Sequence, residues 1–214
     1  MADEPEFQRD IITVGYVVLA NIQGQVDIQI QAEPLSRIFG QIGRANVAPH
    51  PNGYIVQLGP TNLLQVLGNR IQFKGATPEI LYELYRNARD RAMAPFNARA
   101  ASAFGINLEA NYTFTGISRD NLLTRMRPGA FQQSVTLEGI RIKQTFGIQT
   151  DILNVTIEKS QINQDALYFN CNNHINQPNQ HSYSLDQLVN EVAQMLTTVD
   201  QFASEVYQCG QNPV

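Results

Sequence analysis

Residues 184–207 constrain the fold more than any other stretch of the chain. Read at helical period, Leu185, Leu188, Val189, Val192, Ala193, Leu196, Val199, Phe202, Ala203 and Val206 form one continuous apolar stripe. Ser184 and Gln187 have the spacing of a capping box, and Gly210 is expected just past the helix end. Such a helix spans ~36 Å at 1.5 Å per residue. Its other side carries Asp186, Gln187, Asn190, Glu191, Gln194 and Gln201, so only one side calls for burial. Val192, Leu196 and Val199 lie mid-stripe. A flat apolar surface must cover them, and the alternating segments upstream can supply it.

Those segments read in order as follows. Residues 1–9 look like a loose tail. Residues 11–22 are rich in Val, Ile and Tyr and predict a strand. Residues 25–31 alternate Val26, Ile28 and Ile30 with polar neighbours, predicting a half-buried strand. A short helix over 35–42 follows Pro34. His50-Pro51-Asn52-Gly53 turns between short strands at 46–48 and 54–58. Gly68-Asn69 turns between strands at 63–67 and 70–74. Thr77-Pro78-Glu79 then opens a long helix with the stripe Leu81, Leu84, Tyr85, Ala88 and Ala92, ending near Pro95.

The second half repeats the order. Residues 104–115 alternate through Ile106, Leu108, Ala110, Tyr112 and Phe114 as a strand. Ser118 caps a short helix over 119–126, stopped by Pro128-Gly129. Strands are predicted at 133–148, 152–159 and 166–171, and a polar loop over 172–183 leads into the long helix. The fold class is therefore α+β, with two pseudo-repeats, 10–95 and 100–210, in one domain spanning 1–214. Each half reads β-α-β(n)-α. Together they are expected to form one antiparallel, curved sheet with both long helices on one face.

This order resembles the duplicated saddle of the TATA-box-binding protein family. Gly68-Asn69-Arg70-Ile71-Gln72-Phe73-Lys74-Gly75-Ala76 is similar to that family's last hairpin and its exit into a helix. The chain also resembles an uncharacterised bacterial family of two-half α+β proteins. The resemblance implies architecture and carries no functional residue across. The TATA-box-binding protein family reads a minor groove with phenylalanine wedges and basic flanks. At the comparable strand ends this chain has Tyr54, Leu64 and Leu67, and its sheet positions hold Gln57, Gln65, Gln72, Glu138 and Glu158.

The chemistry-bearing residues are few. Cys171, His174 and His181 fall within eleven positions, but C-x₂-H followed by H-x₆-H matches no closed zinc pattern. No metal and no cofactor are expected. No nucleophile elbow, phosphate loop or dinucleotide fingerprint occurs. No spacing makes an acid/base pair of Asp120, Glu138, Asp151 and Glu158. Arg86, Arg89, Arg119, Arg125 and Arg127 are the candidates for an anion or partner patch. The tyrosines and phenylalanines sit at core-facing periods.

Charge and composition bound the partners. Residues 1–100 hold nine basic and nine acidic side chains, and residues 101–214 hold six and ten, giving the net charge of −4. An acidic chain lacks the footprint of a general nucleic-acid binder. With only 16% charged residues, 22 glutamines and 19 asparagines supply much of the polar surface. The acidic N-terminal residues do not read as a signal peptide, and the apolar run at 14–22 is too short to span a bilayer. Two cysteines make no disulfide framework, so a cytoplasmic location with free thiols is expected. The resulting expectation is a non-catalytic binding module for a protein or peptide partner, working through the exposed sheet face or edges. A homodimer is expected, with no membrane contact and no tight nucleic-acid binding. The alternative is a small-molecule-binding protein or enzyme with a pocket between sheet and helices.

Overall fold

A computed structural model of the chain describes residues 6–19, 34, 37, 45–94, 101, 103–126, 139–146, 151–175 and 183–211, with backbone alone at 139–146 and 151–152. The described residues form an α+β fold in which one antiparallel sheet carries three helices. The strands are β1 (Phe7–Leu19), β2 (Ala45–His50), β3 (Gly53–Leu58), β4 (Asn62–Leu67), β5 (Arg70–Gly75), β6 (Ala103–Phe114), β7 (Gly139–Phe146), β8 (Asp151–Lys159) and β9 (Ala166–Ile175). The helices are α1 (Pro78–Met93), α2 (Arg119–Arg125) and α3 (Leu185–Gln211). Their order across the sheet is β2-β3-β4-β5-β1-β6-β9-β8-β7, so β1 and β6 lie side by side near the centre.

Local chemistry explains most boundaries. Pro51-Asn52 and Gly68-Asn69 make two-residue connections, and both hairpins form where the sequence places them. Gly53 has φ +154°, and a Cβ there would lie 1.9 Å from the Val66 carbonyl oxygen, so no larger residue fits. Thr77 caps α1 by accepting from the Ile80 amide at 3.4 Å. The capping box of α3 forms in both directions. Ser184 Oγ accepts from the Gln187 amide at 3.1 Å, and Gln187 Oε1 accepts from the Ser184 amide at 2.8 Å.

All three helices lie on one face of the sheet, because their apolar stripes join a single core. Its floor is Val14, Tyr16 and Val18 of β1, Ile106, Leu108, Ala110 and Tyr112 of β6, and like-facing residues of β3, β4, β5, β8 and β9. Leu81, Leu84, Tyr85, Ala88 and Ala92 of α1 are all buried on it, the same five residues that mark its stripe in the sequence. Where α1 and α3 meet the sheet, rings fill the space. Tyr16, Phe104 and Tyr183 stack, with centroids 5.1 to 6.1 Å apart. Tyr85 meets Tyr16 edge-on at 5.4 Å and Phe73 at 5.1 Å. Tyr16 also accepts the Tyr183 amide at 3.2 Å, and Tyr85 donates to the Tyr183 carbonyl at 2.5 Å. The start of α3 is thereby pinned to both the sheet and α1.

Several expectations are corrected. The stretch 1–9 is not a tail throughout: Phe7, Gln8 and Arg9 belong to β1 and pair with Phe114, Thr113 and Tyr112. The reason is a bulge. The register between β1 and β6 shifts between Ile11 and Thr13, so Phe7, Arg9 and Ile11 face the helices before it and Val14, Tyr16 and Val18 after it. Arg9 then reaches Asp200 of α3, with Nη1–Oδ2 at 2.6 Å, and Tyr112 donates to the same carboxylate at 2.7 Å. β9 runs to Ile175, so residues 172–175 are strand and not loop.

The long helix continues through Gly210, which is buried inside it and does not end it. A Cβ on Gly210 would lie 2.5 Å from Leu122 Cδ2, so the glycine lets α2 approach. The buried line of α3 is Leu188, Val192, Met195, Val199, Ala203, Val206 and Gly210. Met195 is central, Leu196 packs on the flank, and Ala193 faces solvent. The expected strand at 25–31, most of the helix at 35–42, and residues 133–138 lie outside the described residues.

Candidate interaction face

With the described helices on one side, none of them covers the other side of the sheet, the open face, and the register shows what lies across it. One line runs Lys74, Gly15, Asn107, Asn172 and Asn154 over β5, β1, β6, β9 and β8. The next holds Gln65, Gln72, Val17, Gly105 and His174. A third holds Thr13, Glu109, Asn170 and Thr156. Alternate residues of a strand point to opposite faces, so these polar residues share a face because their apolar neighbours share the core. Burial follows this alternation: in β9, buried Phe169 and Cys171 alternate with exposed Asn170 and Asn172.

The face is paired within itself. Asn172 Nδ2 donates to Asn107 Oδ1, its register partner. Lys74 Nζ lies 3.2 Å from Glu109 Oε1, reaching over Gly15, which offers no side chain in between. Arg70 donates to Gln72. Tyr168 shares a hydrogen bond with Glu109. Burial, then the Glu109 and Glu158 carboxylates, hold its phenol above the usual range, so it remains a neutral donor. Half-exposed ion pairs of this kind contribute little stability. What the face offers is a lattice of amide donors and acceptors around the Lys74–Glu109 ion pair. Toward its centre it is shielded: Thr13, Val17 and Asn111 are buried. The Asn111 amide has no hydrogen-bond partner.

The residues singled out in the sequence fall elsewhere or apart. Cys171 and His174 are three residues apart on β9, so they point to opposite faces. Cys171 lies in the core, where burial pushes its thiol up to about 12. His181 is outside the described residues. Among the described residues no group of three metal-ligating side chains gathers. Cys209 is exposed. A native sample treated with iodoacetamide near pH 8 is therefore expected to take one label per chain, at Cys209, and two after denaturation. Mass spectrometry of the labelled chain reads this directly, and fast native labelling at Cys171 would contradict the core placement.

The arginines form two groups. Arg86 and Arg89 lie on α1, which is tied to the start of α3 through Tyr85 and Tyr183. Arg89 sits 5.8 Å from the Tyr85 ring centroid. Arg119 and Arg125 lie on α2, which packs on Gly210 at the other end of α3. The two groups therefore lie toward opposite ends of α3, a helix of 27 residues and ~40 Å. Arg119 also ties α2 to the β8–β9 connection, donating to the Ser160 carbonyl at 3.0 Å. Arg127 is outside the described residues. Asp120 pairs with Lys159 at 3.1 Å, while Glu158 is exposed on the open face.

Tyr54 and Leu64, compared above with groove-reading positions, point into the core and are fully buried. Gln57, Gln65, Gln72 and Glu158 do lie on the open side, by alternation with buried neighbours. Glu138 is outside the described residues. Among the described residues, Tyr168 departs from the core-facing expectation: it sits between buried Leu167 and Phe169, on the polar face. The chain matches no family model and no curated protein sequence. Among the described residues no helix is long and apolar enough to cross a membrane.

Proposed function

We propose that the protein is a non-catalytic binding module whose open sheet face engages a protein or peptide partner. The observation that carries this reading is the division of the sheet. One face is closed by three helices, and the other presents in-register amides with paired charges. The aromatic stack of Tyr16, Phe104 and Tyr183 supports it further, because it fills space where a pocket between sheet and helices would lie. The reading takes the chain as a duplicated unit, similar to the TATA-box-binding protein saddle. In support, the strand order outward from the centre is β1-β5-β4-β3-β2 on one side and β6-β9-β8-β7 on the other, each half running from its first strand to its last and back outward. It takes the partner to be a protein and not nucleic acid, in keeping with the net charge of −4, and places the protein in the cytoplasm. A second copy of the chain is one such partner, and the symmetric dimer is kept in the proposal.

The test is co-purification with mass spectrometry, using the wild type and an Asn170→Lys/Asn172→Lys double variant. Both positions are exposed, so the variant is expected to keep its fold, which an unchanged circular dichroism spectrum checks. The expected result is a reproducible companion protein, or a doubled mass in light scattering, that is reduced at least tenfold by the double variant. Equal recovery from both proteins would overturn the proposal.

A further inference from the structure

We draw no further inference here: the strongest candidate, the buried and unpartnered Asn111 amide on the open sheet face close to the β1 bulge, belongs to the face already described, and nothing in the structure shows which group meets it.

Discussion

Leu108→Asp is expected to abolish the cooperative unfolding transition, while Asn107→Asp leaves it nearly unchanged. The two residues are neighbours on β6 and occupy opposite faces. Leu108 has no exposure and sits among the core residues beneath the helices. An unpaired carboxylate there loses its hydration with nothing to replace it, a cost of several kcal/mol. Loss of the leucine's own burial adds ~2–5 kcal/mol. Together these rival a total stability of ~5–15 kcal/mol. At Asn107 a carboxylate stays half-exposed and can still accept from Asn172, so the change should stay within ~1 kcal/mol. Thermal unfolding followed by circular dichroism separates the outcomes. Equal effects at both positions would mean that the sheet is covered on both faces or on neither.

The second large effect is expected at Tyr16. Its ring has no exposure, stacks on Phe104 and Tyr183, meets Tyr85 edge-on, and its hydroxyl accepts the Tyr183 amide. Tyr16→Ala removes a large buried ring and should cost ~3–5 kcal/mol. At roughly 2–4 °C per kcal/mol for a domain of this size, the melting temperature falls by about 10 °C or more. Tyr16→Phe keeps the ring and loses one hydrogen bond, for ~0.5–1.5 kcal/mol. A Tyr16→Ala protein that melts with the wild type would show that α3 is not anchored at its start.

The elements were largely legible in the sequence, and the misreadings have physical causes. Hairpins with a Gly-Asn or Pro-Asn turn and helices with Thr77 or Ser184 caps are written locally, so these turns and helix starts are placed within a residue or two. The start of β1 was not legible. Gln8, Arg9 and Asp10 are polar, and the bulge breaks the alternation that would have extended the strand. Only the tertiary contact of Arg9 with Asp200 explains a charged residue on the helix-facing side. The phase of α3 was ambiguous by one residue because Met195 and Leu196 are both apolar, and packing placed Met195 innermost. Gly210 read as a stop signal because glycine after a helix usually is one. Here the close approach of Leu122 requires the missing Cβ instead. The abundance of amides is legible in the sequence, but their alignment across the sheet is not, since the sequence does not contain the register that brings Asn107, Asn172 and Asn154 into line.

A photo-crosslinking amino acid in place of Asn172, compared with one in place of Gln194, tests the proposed binding face most directly. Both positions are exposed, the first on the open sheet face and the second on the outer side of α3. Irradiated in cells, the probe at position 172 is expected to give a discrete higher-mass product, and the probe at position 194 none. A product from position 194 with nothing from position 172 would contradict the account.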